Sequence, residues 1–378
     1  MKNVAVFFGG KSCEHDVSVI TGVLTLNSID KDLYNPVPIY VTKEGEWLYG
    51  EDLFDVAFYK LNDFKKLKKV TFISGETSLY QKGKRLKKLF SIYSAINCMH
   101  GLNGEDGTLS GLLKSLGIAL VGSGQFSSSA SMDKEFTKIV LKGLKVNCLP
   151  SETLLKSEFL NDRENSLLKI EKAISYPVII KPANLGSSIG ISTAFSKPEL
   201  ISSLKTAFLY DQKVIVEPYL SDFSEYNCAV YKCDQKVTLS DIEKPSKSDK
   251  ILTFDDKYQN YSGLAEREFP AKIPKALETK ILKTTEKVYT KCGFSGIIRI
   301  DYVYHDNNLY LNEINTVPGS MAYYLFCSSL KDFTVILSKL IEESVKEMNA
   351  YNSNVFSYSS SVLKIDGAKG SKRLTRKN

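Results

Sequence analysis

Two hydrophobic periods alternate through the first third of the chain. The run NVAVFF (3–8) is apolar and stops at Gly9-Gly10, which reads as a buried strand, whereas VSVITGVLTLNSI (17–29) repeats apolar residues near every 3.6 positions and reads as a helix. The same alternation continues with PVPIYV (36–41) and YSAINCM (93–99) as strands, TLSGLLKSLG (108–117) as a helix and IALVGS (118–123) as a strand. Strand and helix in turn predict a parallel α/β layer over residues 1–130. Residues 43–92 interrupt it with the one tryptophan, Trp47, and a basic segment, VTFISGETSLYQKGKRLKKL (70–89), that the pattern predicts as a hairpin with a solvated lysine face.

A helix opening near Asp133 (SMDKEFTKIVLKGLKV, 131–146) starts a second unit, 131–222, whose strands are VIIKPANLGSSIGIS (178–192) and KVIVEPYL (213–220). A third unit, 223–350, holds the strand NCAVYKC (227–233), a polar loop at about 244–263, a long helix (274–293) and the strands IIRIDYVY (297–304) and NLYLNEIN (308–315). After Met348 the composition drifts to Ser, Asn and Tyr and then to a basic tail, so 351–378 is expected to be disordered.

Composition narrows the function classes. The net charge of +7 is concentrated in 60–88, with ten Lys/Arg against two acids, and in 364–378, with six Lys/Arg and one Asp. The remainder is net acidic, so the basicity is local and predicts no nucleic-acid partner. Seven scattered cysteines without a CxxC pair fit reduced thiols and a cytoplasmic location better than a disulfide framework. Three histidines make a zinc cluster a poor reading, and no apolar stretch reaches the ~18 residues of a membrane span.

Candidate chemistry gathers in the last two strands. HDNN (305–308) between them predicts a hairpin; with the turn centred on Asn307, Asp301 faces Glu313 and Arg299 faces Asn315. Two opposed carboxylates repel unless a cation lies between them, and Asp, Glu and Asn oxygens are the ligands that Mg²⁺ takes beside nucleotide phosphates. A solvated hairpin with an Arg/Asp cross-strand pair is the competing account. Upstream, a strand ends in Lys181 and a loop with Gly186, Ser187, Ser188 and Gly190 follows, offering N–H groups and hydroxyls to anions; an ordinary turn explains it equally well. Lys134 sits at a helix start behind Asp133, where a phosphate partner or plain solvation would each account for a cation. Glu217, Leu220 and Glu225 follow an apolar strand at positions that suit a purine and its ribose.

In this order, FFGGKSCEHDVS (7–18), HGLNGEDGTLSGLL (100–113), SMDKEFTK (131–138), KPANLGSSIG (181–190), GIIRIDYVY (296–304) and NEINTVPG (312–319) resemble the D-alanine:D-alanine ligase family over about residues 3–345. The resemblance implies an α/β chain in which the parallel layer precedes a two-part ATP-grasp fold of α+β type. It implies a ligase that joins two D-alanines through a D-alanyl phosphate for peptidoglycan synthesis. Position by position, it implies that Lys134, Lys181, Ser188, Glu217, Leu220 and Glu225 bind ATP. Asp301, Glu313 and Asn315 would hold two Mg²⁺ ions, with Mn²⁺ as a substitute. Arg299 would stabilise the transferring phosphoryl group. Glu14 would take the first substrate's amino group with Ser187 and Tyr258 hydrogen-bonded to it, and Lys257 would close over the site. His100, Gly319, Ser320 and Tyr324 would line the substrate pocket. Homodimers are usual in that family.

Three positions depart from the family pattern. Ser110 stands where glutamine is usual, Phe254 where a lid tyrosine is usual, and Tyr324 near the position of a serine whose hydroxyl helps bind the second substrate's carboxylate. The acceptor is thereby left open between D-alanine, D-serine and another small amino acid.

Overall fold

The computed structural model describes residues 1–61, 63–245 and 267–360. Its strands form three sheets. In the first, β1 (Lys2–Gly9) pairs in parallel with both β2 (Tyr34–Val41) and β6 (Lys87–Asn97), and β6 pairs in parallel with β7 (Leu120–Val121). Strand β1 is near-continuous Val, Ala and Phe and is fully buried from Val4 to Gly9, as expected of a strand covered on both faces. The helix His15–Ser28 follows β1 as expected, and IALVGS contributes two strand residues.

The basic insertion is not a single hairpin. Turn formers occur twice, at ISGET (73–77) and KGKRL (82–86), so β4 (Lys68–Phe72), β5 (Ser78–Gln81) and the outer half of β6 make an antiparallel meander. Through β3 (Trp47–Tyr49) the meander joins β2, and the pairings run in a closed circuit from β1 round to β6 and back. Trp47 packs its indole edge-on against Phe7, with ring centroids 5.2 Å apart, so the insertion shares a core with the parallel strands.

The second sheet is antiparallel, in the order β10 (Ser192–Ala194), β9 (Val178–Pro182), β11 (Lys213–Pro218), β8 (Glu152–Leu155). The third runs β13 (Lys236–Leu239), β12 (Ser224–Cys233), β14 (Ile298–His305), β15 (Asn308–Asn315). Behind it lies the helix Lys275–Lys291, whose buried face is Leu277, Ile281, Thr285, Val288 and Tyr289.

The hairpin of β14 and β15 has the expected pairs, reached by a different route. Its turn is two residues, Asp306 and Asn307, both with positive φ (47° and 58°), so the turn centre lies half a residue earlier than on Asn307. A bulge between Asp301 and Tyr302 then leaves Asn312 as an extra residue, which restores Asp301 opposite Glu313 and Arg299 opposite Asn315. The burial pattern shows why this matters. Leu309 and Leu311 point into the core, and strict alternation would send Glu313 and Asn315 after them; the bulge absorbs one residue, so Ile314 is buried and both polar side chains face outward. That outward face is half-buried, not part of the core on both sides.

The long helix Leu330–Asn352 returns to the first sheet. It buries Phe333, Leu337, Leu340 and Ile341, while Glu342 accepts hydrogen bonds from Lys2 Nζ (2.8 Å), Tyr34 OH (2.8 Å) and Tyr93 OH (2.7 Å). Among the described residues no helix is long and apolar enough to cross a membrane.

Candidate active site

The strand β1 ends at two glycines in left-handed conformation, Gly9 (φ 86°) and Gly10 (φ 106°), and a Cβ on Gly9 would lie 2.3 Å from the Val41 carbonyl oxygen. This close approach delivers Glu14 to the start of the helix His15–Ser28, where it is 6% exposed. From the other side comes the loop after β9. Ser187 and Ser188 both adopt left-handed conformations (φ 52° and 59°), and Ser187 Oγ donates a hydrogen bond to Glu14 Oε1. Residues 173 apart in sequence therefore meet as expected.

Lys134 begins its helix behind the Asp133 cap, which accepts from the Phe136 N–H, and its ammonium donates to the Leu185 carbonyl of the same loop. Lys134, Glu14, Gly186, Glu313 and Asn315 line one narrow cavity. Deeper in the cleft, Glu217 at the end of β11 is 3% exposed and pairs through its two oxygens with Lys138 and Lys181, each at 2.6 Å. Burial alone would raise its pKa, but the two lysines outweigh burial and hold the carboxyl at about 2. Lys181 Nζ also lies 3.4 Å from Asn312 Oδ1, so the bulge residue is aimed at the same ammonium. Leu220 is half-buried just past β11, and Glu225 is the second residue of β12.

On the outward face of the hairpin, Arg299 binds Asp301 in the same strand through two parallel bonds, Nε to Oδ1 at 2.7 Å and Nη2 to Oδ2 at 2.8 Å. The ion pair is not the cross-strand one that the solvated alternative required. Asn315 donates to Asp301 Oδ2 at 2.9 Å from the neighbouring strand. Past β15, Pro318-Gly319 leads into a turn in which Ser320, Met321 and Ala322 are all left-handed, with φ of 51°, 54° and 48°. Such geometry costs L-residues roughly 1–2 kcal/mol each, and it persists where the surroundings fix it. Here Met321 is fully buried, and the Ser320 N–H donates to Thr21 Oγ1 at 3.1 Å. The turn swings Tyr324 back so that its hydroxyl lies 3.5 Å from Arg299 Nη1. Gly319 has open space where a side chain would stand.

His100 is buried, and its Nε2 is 3.0 Å from Thr21 Oγ1. Burial, helped by the positive charge of Arg299, pushes its pKa down to about 3. A histidine depressed below its ordinary 6.5 contributes stability above that value and loses it as pH falls from 6.5 towards 3. We expect the unfolding free energy in urea to drop between pH 7.5 and pH 5, by up to ~1.4 kcal/mol for each unit below 6.5 from this group. His100→Gln should flatten that part of the profile; an unchanged slope would remove His100 as its source.

Four residues of the site carried no assignment from sequence. Glu105, inside the HGLNGEDG motif, is half-buried; its Oε2 accepts the Gly101 N–H and its Oε1 the Val317 N–H, each at 2.9 Å. Burial first, and then the nearby Glu14 charge, raise its carboxyl well above the usual range. Thr21 joins His100 to Ser320, and Lys138, one helical turn beyond Lys134, is the second partner of Glu217. The spacing of Lys134 and Lys138 was the readable signal for the last of these. Arg267 is the fourth, lying over the Tyr324 ring with its guanidinium 4.9 Å from the centroid. Lys257, Tyr258 and Phe254 lie outside the described residues, as does most of the 244–263 loop.

A parallel layer followed by two antiparallel sheets, with buried lysines on one and an Arg/Asp/Glu/Asn hairpin on the other, is the ATP-grasp ligase architecture. Residues 3–123 match the family model for the D-ala D-ala ligase N-terminus, and residues 140–346 match that for the C-terminus. The D-alanine–D-alanine ligase of Thermosipho melanesiensis is 35% identical over 97% of this chain and 99% of its own length. The solved D-alanine–D-alanine ligase of Helicobacter pylori superposes with a TM-score of 0.74 at 29% identity, covering 91% of this chain and 98% of that one. The VanG D-Ala:D-Ser ligase of Enterococcus faecalis gives a TM-score of 0.73 at 27% identity, with 92% and 99% covered. The chain belongs to the D-alanine–D-alanine ligase family.

Proposed function

We propose that this chain joins two D-alanine molecules, cleaving ATP to ADP and phosphate, and so supplies D-alanyl-D-alanine for peptidoglycan synthesis in the cytoplasm. The observation that carries this reading is the convergence of Glu14, Lys134, Gly186, Glu313 and Asn315 on one cavity, with Ser187 hydrogen-bonded to Glu14. The sheets fall within 1–130, 131–222 and 223–350, which supports reading those as the units of the fold.

The residue chemistry suits two successive displacements. The carboxylate of the first D-alanine attacks the γ-phosphorus of ATP, giving an acyl phosphate and ADP. The amine of the second then attacks the acyl carbon and displaces phosphate. Glu14, held by Ser187, offers a charge-assisted partner to the first substrate's ammonium and so aims its carboxylate. Lys134 and Lys181 are assigned to the phosphate side, and Glu217 fixes the position of the Lys181 ammonium by pairing with it. Arg299 is preorganised by Asp301 to face the negative charge that develops in both steps. Leu220, Glu217 and Glu225 are assigned to the nucleoside, and Ser188 with its neighbouring N–H groups to the phosphates.

The oxygen donors of Asp301, Glu313 and Asn315, on alternate rungs of one face, fit a hard divalent cation, Mg²⁺ or Mn²⁺. Such a cation, when bound, neutralises phosphate oxygens. Ser320, His100 and Tyr324 are assigned to the acceptor side, and a homodimer is the expected assembly.

The test is phosphate release with ATP and Mg²⁺ across paired D-amino acids, with product mass as the readout. D-alanyl-D-alanine is the expected product. A mixed D-alanyl-D-serine product would move the assignment to the second reading, which Tyr324 in place of a serine favours. No dipeptide from any pair, despite ATP binding, would overturn both.

A further inference from the structure

Arg267 has no role in the reaction steps above, yet it is held by a carboxylate and lies over two aromatic rings. Its Nη1 lies 3.0 Å from Glu243 Oε1, and Glu243 is a buried carboxylate (5% exposed) whose Oε2 accepts from Asn227 Nδ2 at 3.0 Å. Asn227 pairs with Glu243 across an isolated bridge and stands opposite Asp301 in the third sheet. The guanidinium is thus tethered to the strand that faces Arg299 and Asp301. It lies between two rings, with Phe269 at 5.4 Å and Tyr324 at 4.9 Å from its central carbon. A cation over an aromatic face is attracted by the ring's quadrupole, the more so when desolvated. Tyr324 is thereby fixed from both ends, by Arg267 on its face and by Arg299 at its hydroxyl.

We propose that Arg267 is a positioning residue for the acceptor subsite, fixing the Tyr324 ring so that its phenol and the Arg299 guanidinium together receive the carboxylate of a small amino acid. The proposal rests on the ligase reading above. In this arrangement the hydroxyl accepts from Arg299 and keeps its own proton for the substrate, which a serine at the same position would have to supply from a much shorter side chain. Ring orientation replaces side-chain length as the determinant of where the acceptor carboxylate sits. Glu243 enters indirectly, because it holds Arg267.

With D-alanine filling both sites, steady-state rates resolve two half-saturation constants, one for each subsite. Arg267→Leu is expected to raise the acceptor constant about tenfold while leaving the donor constant, the ATP KM and kcat within about twofold. Arg267→Lys should recover part of the loss, since it keeps the cation over the ring but loses the planar fork. In a Tyr324→Phe background, Arg267→Leu should add less than about twofold, because the hydroxyl it positions is gone. An unchanged acceptor constant in Arg267→Leu overturns the proposal, as does an undiminished effect in the Tyr324→Phe background. A fall of kcat and of the thermal midpoint together with a rise of both constants also overturns it, by showing a general structural role. If the wild-type chain makes no dipeptide in the same assay, the ligase reading itself has failed; if it does and the variants match it, only the positioning role has.

Discussion

Arg299→Ala is expected to lower kcat by ~10²-fold or more, the usual consequence of losing one preorganised charge-stabilising donor. The structure sharpens the reason. Arg299 is only partly exposed and is held by two parallel bonds to Asp301, so its direction is set before any substrate arrives. Arg299→Lys keeps the charge but cannot form the fork, and should recover little of the activity. Removing Arg299 also strips Asp301 of its counterion, so ATP affinity and the thermal midpoint are to be measured beside kcat. Turnover of Arg299→Ala within about tenfold of wild type, on a folded protein, would exclude Arg299 from transition-state stabilisation.

The second large effect is on stability. Glu217→Ala leaves Lys138 and Lys181, which are 11% and 12% exposed, without their shared carboxylate. Removing one partner of a buried ion pair typically costs ~3–5 kcal/mol, because the remaining charge stays desolvated. The loss should appear as a lower urea midpoint at unchanged slope, with weakened ATP binding because Lys181 is no longer fixed. Glu164→Ala, which breaks the exposed pair with Lys197, is the contrast and should cost less than ~1 kcal/mol. A Glu217→Ala loss no larger than that of Glu164→Ala would mean the lysines find other partners.

Much of this site was legible in the sequence because its residues sit at ends of periodic elements. Lys181 and Glu217 close apolar strands, and Lys134 follows a capping aspartate, so each could be placed without tertiary information. The hairpin pairs were legible for a subtler reason. Placing the turn on Asn307 is half a residue late, and the bulge at Asn312 offsets the error. The sequence carried the bulge as a break in phase, since Leu309 and Leu311 are two apart but Ile314 is three beyond Leu311. What could not be read were contacts whose partners lie far apart in the chain. Thr21 with Ser320 and Glu105 with Val317 join segments more than 200 residues apart, and no local period encodes such a meeting. The left-handed turn at 320–322 was hidden for another reason. Ser, Met and Ala do not favour positive φ, so that conformation is imposed by Thr21 and by the burial of Met321.

The return of the helix Leu330–Asn352 to the first sheet bears on how this polypeptide can be divided. The two ends of the matched region meet in space: Lys2, one residue before the first family match, touches Glu342 near the end of the second. A fragment cut between the two matches, after residue 123, would carry strands β6 and β7 without the helix that covers them. It would expose the apolar surface that Phe333, Leu337 and Ile341 occupy, and should aggregate when expressed alone. A circular permutant, with a short linker from the end of that helix to Met1 and new termini on an exposed loop, should fold. The covalent order of the chain is then less important to it than the closure of the helix Leu330–Asn352 on the first sheet.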